Sequence, residues 1–121
     1  MDGKAIDVFA RVTFGASGAP TIDAANSVGI SNVTRNSAGD YTIKFTDQFV
    51  KLRMIEHLFD TTGASGAAPA SPDMWLKAQS VNTSGGGTVR VVFNSAGTAT
   101  DPASGEAVLL WVAMNDSSVT L

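Results

Sequence analysis

Apolar residues in this chain recur at every second position, in short runs divided by turn residues. Ile6, Val8, Ala10, Val12 and Phe14 alternate with Asp7, Phe9, Arg11 and Thr13. Tyr41, Ile43 and Phe45 alternate with Thr42 and Lys44, and Val89, Val91 and Phe93 form a third such row. A period of two places one set of side chains on each face of a strand, whereas a helical face repeats every 3.6 residues or so. The run from Gly15 to Pro20 ends the first strand, and Asn36-Ser37-Ala38-Gly39 turns the chain between Ile30–Arg35 and Tyr41–Phe45, which reads as a hairpin. Gly39 is available there for a positive φ.

Further strands are expected at Val50–Leu58, Met74–Val81 and Thr88–Asn94. In the first, Val50, Leu52, Met54 and Leu58 alternate with Lys51, Arg53 and His57, Ile55 and Phe59 make the second face partly apolar, and a helix, favoured by Leu, Met, Glu and Lys, is the competing reading. Ser95–Glu106 reads as a polar loop and Asn115–Leu121 as a tail. Ala107–Met114 is apolar on both faces, which suits the middle of a sheet or an interface. The expectation is an all-β fold, an antiparallel β-sandwich or small β-barrel of seven to eight short strands. Residues 1–121 form a single domain in this reading, with a short N-terminal arm 1–7 and a long loop 60–73. Its core is Val8, Val12, Phe14, Tyr41, Ile43, Phe45, Val89, Val91 and Phe93.

The composition excludes several kinds of chemistry. The 121 residues include no cysteine and one histidine, so disulfides, thiol nucleophiles, Cys-based zinc sites and His-rich metal sites are all out of reach. Eight basic against eleven acidic residues give a net charge of −3, the wrong balance for a general nucleic-acid binder. No apolar run is long enough to cross a membrane as a helix, and Met1-Asp2-Gly3-Lys4 does not open a secretory signal. Asp60-Thr61-Thr62-Gly63 resembles an aspartic-protease triplet broken by an extra Thr, and reads as a strand-end turn. Asp101 and Glu106 lack the spacing of a calcium loop and read as a solvated loop. His57, Asp60 and a serine make no triad without an elbow to present the nucleophile. Gly85-Gly86-Gly87 lacks the Lys-Ser/Thr of a phosphate cradle. No catalytic residue, cofactor or metal is expected, and the chain reads as non-enzymatic.

The aromatic residues are more informative. Phe9 stands on the polar face of the first strand, Trp75 alternates with Lys77 and Gln79, and Trp111 lies on the strand with two apolar faces. Low charge, 16% of residues, together with 44% hydrophobic residues suggests surface covered by neighbours. Phe9, Trp75, Leu109 and Trp111, with Met1, Asp2 and Lys4 of the arm, are the candidate interface. The arm and the 60–73 loop are the expected points of grip.

Certain stretches resemble a known family. They are Phe9-Ala10-Arg11-Val12-Thr13-Phe14, Gly18-Ala19-Pro20-Thr21-Ile22, Gly29-Ile30-Ser31-Asn32-Val33-Thr34-Arg35, Gly39-Asp40-Tyr41-Thr42-Ile43-Lys44-Phe45, Gly87-Thr88-Val89-Arg90-Val91-Val92-Phe93 and Ala99-Thr100-Asp101-Pro102-Ala103-Ser104-Gly105-Glu106. Together they resemble the small capsid decoration (cement) proteins of tailed bacteriophages. The resemblance implies a β-rich homotrimer on the outer surface of the capsid that bridges major capsid protein subunits and resists the pressure of packaged DNA. It implies no direct contact with nucleic acid or membrane. The Gly-x-Tyr-x-Ile-x-Phe strand also appears in tail-fibre and receptor-binding modules that recognise host-surface glycans, which is the alternative. A chain opening at Met1 with no repeat or shaft ahead of the domain favours decoration.

Overall fold

A computed structural model describes residues 5–62 and 73–115. Nine strands follow in chain order: β1 (Ala5–Phe14), β2 (Pro20–Ile22), β3 (Ile30–Ser37), β4 (Asp40–Phe45), β5 (Lys51–Asp60), β6 (Asp73–Ser80), β7 (Thr88–Ser95), β8 (Thr98–Ala99) and β9 (Ala107–Asn115). They form two antiparallel sheets packed as a β-sandwich. One sheet runs β2-β1-β9-β5. The other runs β3-β4-β7-β6, with β8 paired to the end of β7. The sandwich, not a barrel, is the architecture. The two short strands β2 and β8 are new to the sequence reading, β2 starting at the last residue of the Gly15–Pro20 turn and β8 lying inside the Ser95–Glu106 loop, because two or three residues are too few to show a period.

Every residue of the expected core is buried. Val8, Val12 and Phe14 on β1 face Tyr41, Ile43 and Phe45 on β4 and Val89, Val91 and Phe93 on β7, and β9 adds Val108, Leu110, Val112 and Met114. Phe14, Tyr41 and Phe93 form a mutual edge-to-face triad with ring centroids 5.3–5.7 Å apart. This geometry matches the positive edge of each ring to the negative face of the next.

β9 lies between β1 and β5, so the strand with two apolar faces is central and not at a sheet edge. The expected faces of β5 are corrected in the same region. A bulge between Leu52 and Met54 adds one residue to β5 relative to β9. One added residue exchanges the faces of everything beyond it. Ile55 and Phe59 therefore pack on the core, while Met54 and Leu58 are exposed.

Polar side chains tie the loops to this frame. Asp101 accepts two hydrogen bonds from Arg35, at 3.0 and 2.8 Å, and one from the Gly39 N–H at 2.8 Å. The Tyr41 hydroxyl lies 2.7 Å from the Gly18 carbonyl and 3.2 Å from Asp101. Gly39 has φ +72°, and a Cβ there would fall 2.6 Å from the Phe93 carbonyl oxygen, so the tight approach of this turn to β7 requires glycine. Glu106 is 1% exposed and accepts from the Ala103 N–H. The loop 95–106 is therefore anchored by both of its carboxylates, and the solvated-loop reading is corrected.

On the outer face of the second sheet, Asp40 is buried beneath Arg90, which donates to it at 2.7 and 2.8 Å, and Lys77, at 3.2 Å. The Arg90 bonds, with those from Asn36 and Lys77, hold the Asp40 carboxyl well below the ordinary carboxylate range. Burial pushes Asp101 up, but Arg35 and the Gly39 N–H outweigh it and the net shift is downward. Asp60 is lowered to about 2 by the Thr62 hydroxyl and N–H and by Arg11. Carboxylates depressed by folding bind fewer protons folded than unfolded near pH 4. Their stabilisation is complete above the unfolded value, about 3.9, and is lost as pH falls toward the folded values. Thermal melts should therefore show a full, pH-independent contribution from these groups above about pH 5 and a falling Tm below about pH 4. Asp40→Asn should lower the Tm at pH 7 and flatten the acid limb; an unchanged limb would mean that the Asp40 cluster does not contribute.

Candidate interaction surface

The outward side chains of the first sheet come from alternate positions of β1, β9 and β5, and the strand register sets them in rows. Phe9 stands opposite Trp111, and Trp111 opposite Glu56. In the next row Arg11 stands opposite Leu109, and Leu109 opposite Leu58. Asp7, Ala113 and Met54 make a third row. Val28 extends the first row, because its backbone exchanges two hydrogen bonds with Phe9, at 3.2 and 2.7 Å. Phe9, Val28, Met54, Leu58, Leu109 and Trp111 are all exposed, Leu58 most of all at 68%. At the sizes of these side chains that is about 500 Å² of largely apolar surface, near the upper end of what monomeric proteins show.

Two shallow hollows shape the face. One, of about 370 Å³, lies among Phe9, Arg11, Asn26 and Leu109, and the other, of about 210 Å³, among Phe9, Glu56, Leu58, Leu109 and Trp111. Polar groups frame the apolar centre. The Trp111 indole N–H donates to Asp7 at 3.1 Å, fixing the ring across the face. Arg11 pairs with Asp60 at 2.8 Å and lies 3.9 Å from Asp23. An apolar centre inside a polar rim is the usual layout of a protein–protein contact.

Three of the residues singled out from sequence, Phe9, Leu109 and Trp111, are thus neighbours on one face. Trp75 is not among them: it lies on β6 in the other sheet, opposite Val92. Met1, Asp2, Lys4 and most of the 60–73 loop lie outside the described residues. Residues 5–7 of the expected arm are the first residues of β1, paired with 113–115. The sequence reading missed Val28, Met54 and Leu58. The last two were hidden by the bulge, and Val28 lies on no strand and carries no period.

The remaining chemistry is sparse. His57 and Asp60 are separated on β5 by an odd number of positions, so they project to opposite faces; His57 packs edge-on against Phe59 at 5.7 Å, while Asp60 is taken up by Arg11 and Thr62. They form no dyad. Among the described residues no group of three His, Cys, Asp or Glu could hold a metal ion, and no helix is long and apolar enough to cross a membrane.

A second feature, among the described residues, is a cleft of about 350 Å³ between the two sheets. β5 and β6 are edge strands of opposite sheets there, and the cleft between them is lined by Ile55, His57, Met74, Trp75, Leu76 and Gln79, among others. In comparisons with known proteins, no family model, no curated protein and no solved structure matches this chain.

Proposed function

We propose that the protein is a non-enzymatic phage decoration protein that works as a homotrimer, binding the outer capsid surface and bridging major capsid subunits. The observation that carries self-association is the outer face of β1, β9 and β5, with six exposed apolar side chains in register. Such a face has little use in a lone subunit and costs solubility. A trimer multiplies weak contacts: linking sites on one rigid body raises avidity by about 10²–10⁴ over a single site. The capsid and the trimeric state come from the resemblance to decoration proteins.

A second reading, a tail-fibre or receptor-binding module, draws support from the cleft between β5 and β6, whose volume of about 350 Å³ suits a small ligand. Imaging purified virions with a label on this chain tests both. Label over the head, lost together with resistance of the head to heat or low ionic strength when the protein is omitted, is expected for decoration. Label at the tail, with robust heads and failed attachment, would replace decoration with the second reading.

A further inference from the structure

We infer that the outer face of the first sheet closes a ring of three by an asymmetric fit, in which Leu58 of each copy seats in the hollow beside Phe9 and Arg11 of the next. The inference rests on the homotrimer reading above and names the two surfaces that meet.

Symmetry requires two different surfaces. A patch that meets its own copy pairs subunits about a two-fold axis, whereas a ring of three joins one patch to a second, unlike patch on the next subunit. The face divides in this way along β9. On the β5 flank the side chains project, and Leu58, 68% exposed, stands out furthest. On the β1 flank the surface is hollowed, by about 370 Å³ among Phe9, Arg11, Asn26 and Leu109. Leu58 and every residue lining that hollow are among the described residues.

The strand register sets the two features level. Leu58 stands opposite Leu109, and Leu109 opposite Arg11, so the projecting side chain and the hollow share a row on either side of β9. Rotation about an axis parallel to β9 keeps every row at its own height. Three copies with their faces turned to such an axis bring Leu58 of one level with the hollow of the next, without sliding along the strands. The same rotation sets Glu56 level with Val28 of the next copy, since both belong to the row of Phe9. It also turns Trp111, on the middle strand, toward the axis. That ring is already held by its hydrogen bond to Asp7 at 3.1 Å, so ordering it in a contact costs little.

Area points to copies of this chain as the occupants. The exposed apolar side chains of the face come to about 500 Å². Interfaces are about 57% apolar, so covering the whole face takes about 900 Å² from each copy, against about 800 Å² from one partner in a standard stable contact. Neither flank supplies that alone. The ring uses both, one against each neighbour, and a copy leaves only by breaking two contacts.

The chain has no cysteine, so introduced thiols report the contact without background. Leu58→Cys and Asn26→Cys are made as separate variants, with Glu56→Cys and Val28→Cys as a second pair that leaves Leu58 in place. All four positions are exposed, and light scattering of the reduced variants verifies the parent mass. On mild oxidation at low protein concentration, each pair mixed one to one should give mixed disulfide dimers about tenfold faster than like dimers, because seated thiols face each other at a raised effective concentration. Either pair combined in one chain should give a covalent ladder that stops at three. Within one subunit the paired positions are on opposite flanks, two strands or about 10 Å apart at the least, too far for an internal bridge. Leu58→Cys cross-linking chiefly to itself, a ladder running past three, or a parent trimer in which neither pair cross-links would overturn the inference. The last of these would leave self-association standing, whereas a monomeric parent would remove both.

Discussion

A chain carrying Leu58→Glu and Trp111→Arg should run as a folded monomer, while the parent should show three times the chain mass of 12.4 kDa by light scattering. Both positions lie on the outer face of the first sheet, in adjacent rows. The replacements are chosen to be harmless within one subunit. An Arg at 111 stands opposite Glu56, and a Glu at 58 lies in the row that holds Arg11. Opposite charges across a pair of strands are neutral or mildly favourable. In an assembly the same charges would be taken out of water at the centre of the contact, where removal or burial of one key group commonly costs 2 kcal/mol or more, about thirtyfold in affinity. Melting curves should stay close to those of the dissociated parent. An oligomer that survives both substitutions would show that this face is not the contact, and a parent monomeric at high concentration would end the proposal of self-association.

Phe93→Ala should have the largest effect on folding. Phe93 is 2% exposed and touches three rings, Phe14, Tyr41 and Phe59, with centroids 5.5–5.7 Å away. These come from β1, β4 and β5, so one side chain joins β7 to strands of both sheets. Truncating a buried Phe costs about 3–5 kcal/mol, because the lost transfer energy is joined by an unfilled cavity. Domains of this size are stable by about 5–15 kcal/mol in all. The variant should therefore lose most of its denaturation midpoint, or fail to fold at 37 °C. Leu58→Ala, the same kind of truncation at a 68% exposed position, should leave the midpoint of the dissociated chain nearly unchanged. Equal losses from the two would mean that the core is not centred where the rings converge.

The contrast between Phe93 and Leu58 also marks how far the sequence can be read. Phe93 lies in an unbroken alternation with Val89 and Val91, and nothing interrupts the register of β4 with β7. Its burial follows from period alone, as it does for Val8, Val12 and Phe14 on β1. Leu58 lies in an alternation already blurred by Ile55 and Phe59, and it is misleading, because the β5 bulge inserts a residue that no local signal announces. A bulge is a property of two paired strands, and its position depends on where β9 meets β5.

The same distinction separates the two candidate sites. The doubly apolar character of Ala107–Met114 is written in the chain, and with it the choice between a central strand and an interface. β9 turns out to be central and still presents Leu109 and Trp111 outward, since a middle strand in a two-layer sandwich has one face in the core and the other open. That Phe9, Leu58 and Trp111 share one surface depends on β9 pairing with both β1 and β5, a long-range choice made by packing. The cleft is a tertiary feature altogether: Ile55 and Met74, which line it, are 19 positions apart in different sheets. By itself the sequence determined the strand content, the aromatic core and the absence of thiol chemistry, because these depend on period and residue type. Only the tertiary structure decided which outward residues meet and which strands end each sheet, because pairing order and bulges are settled between strands far apart in the chain.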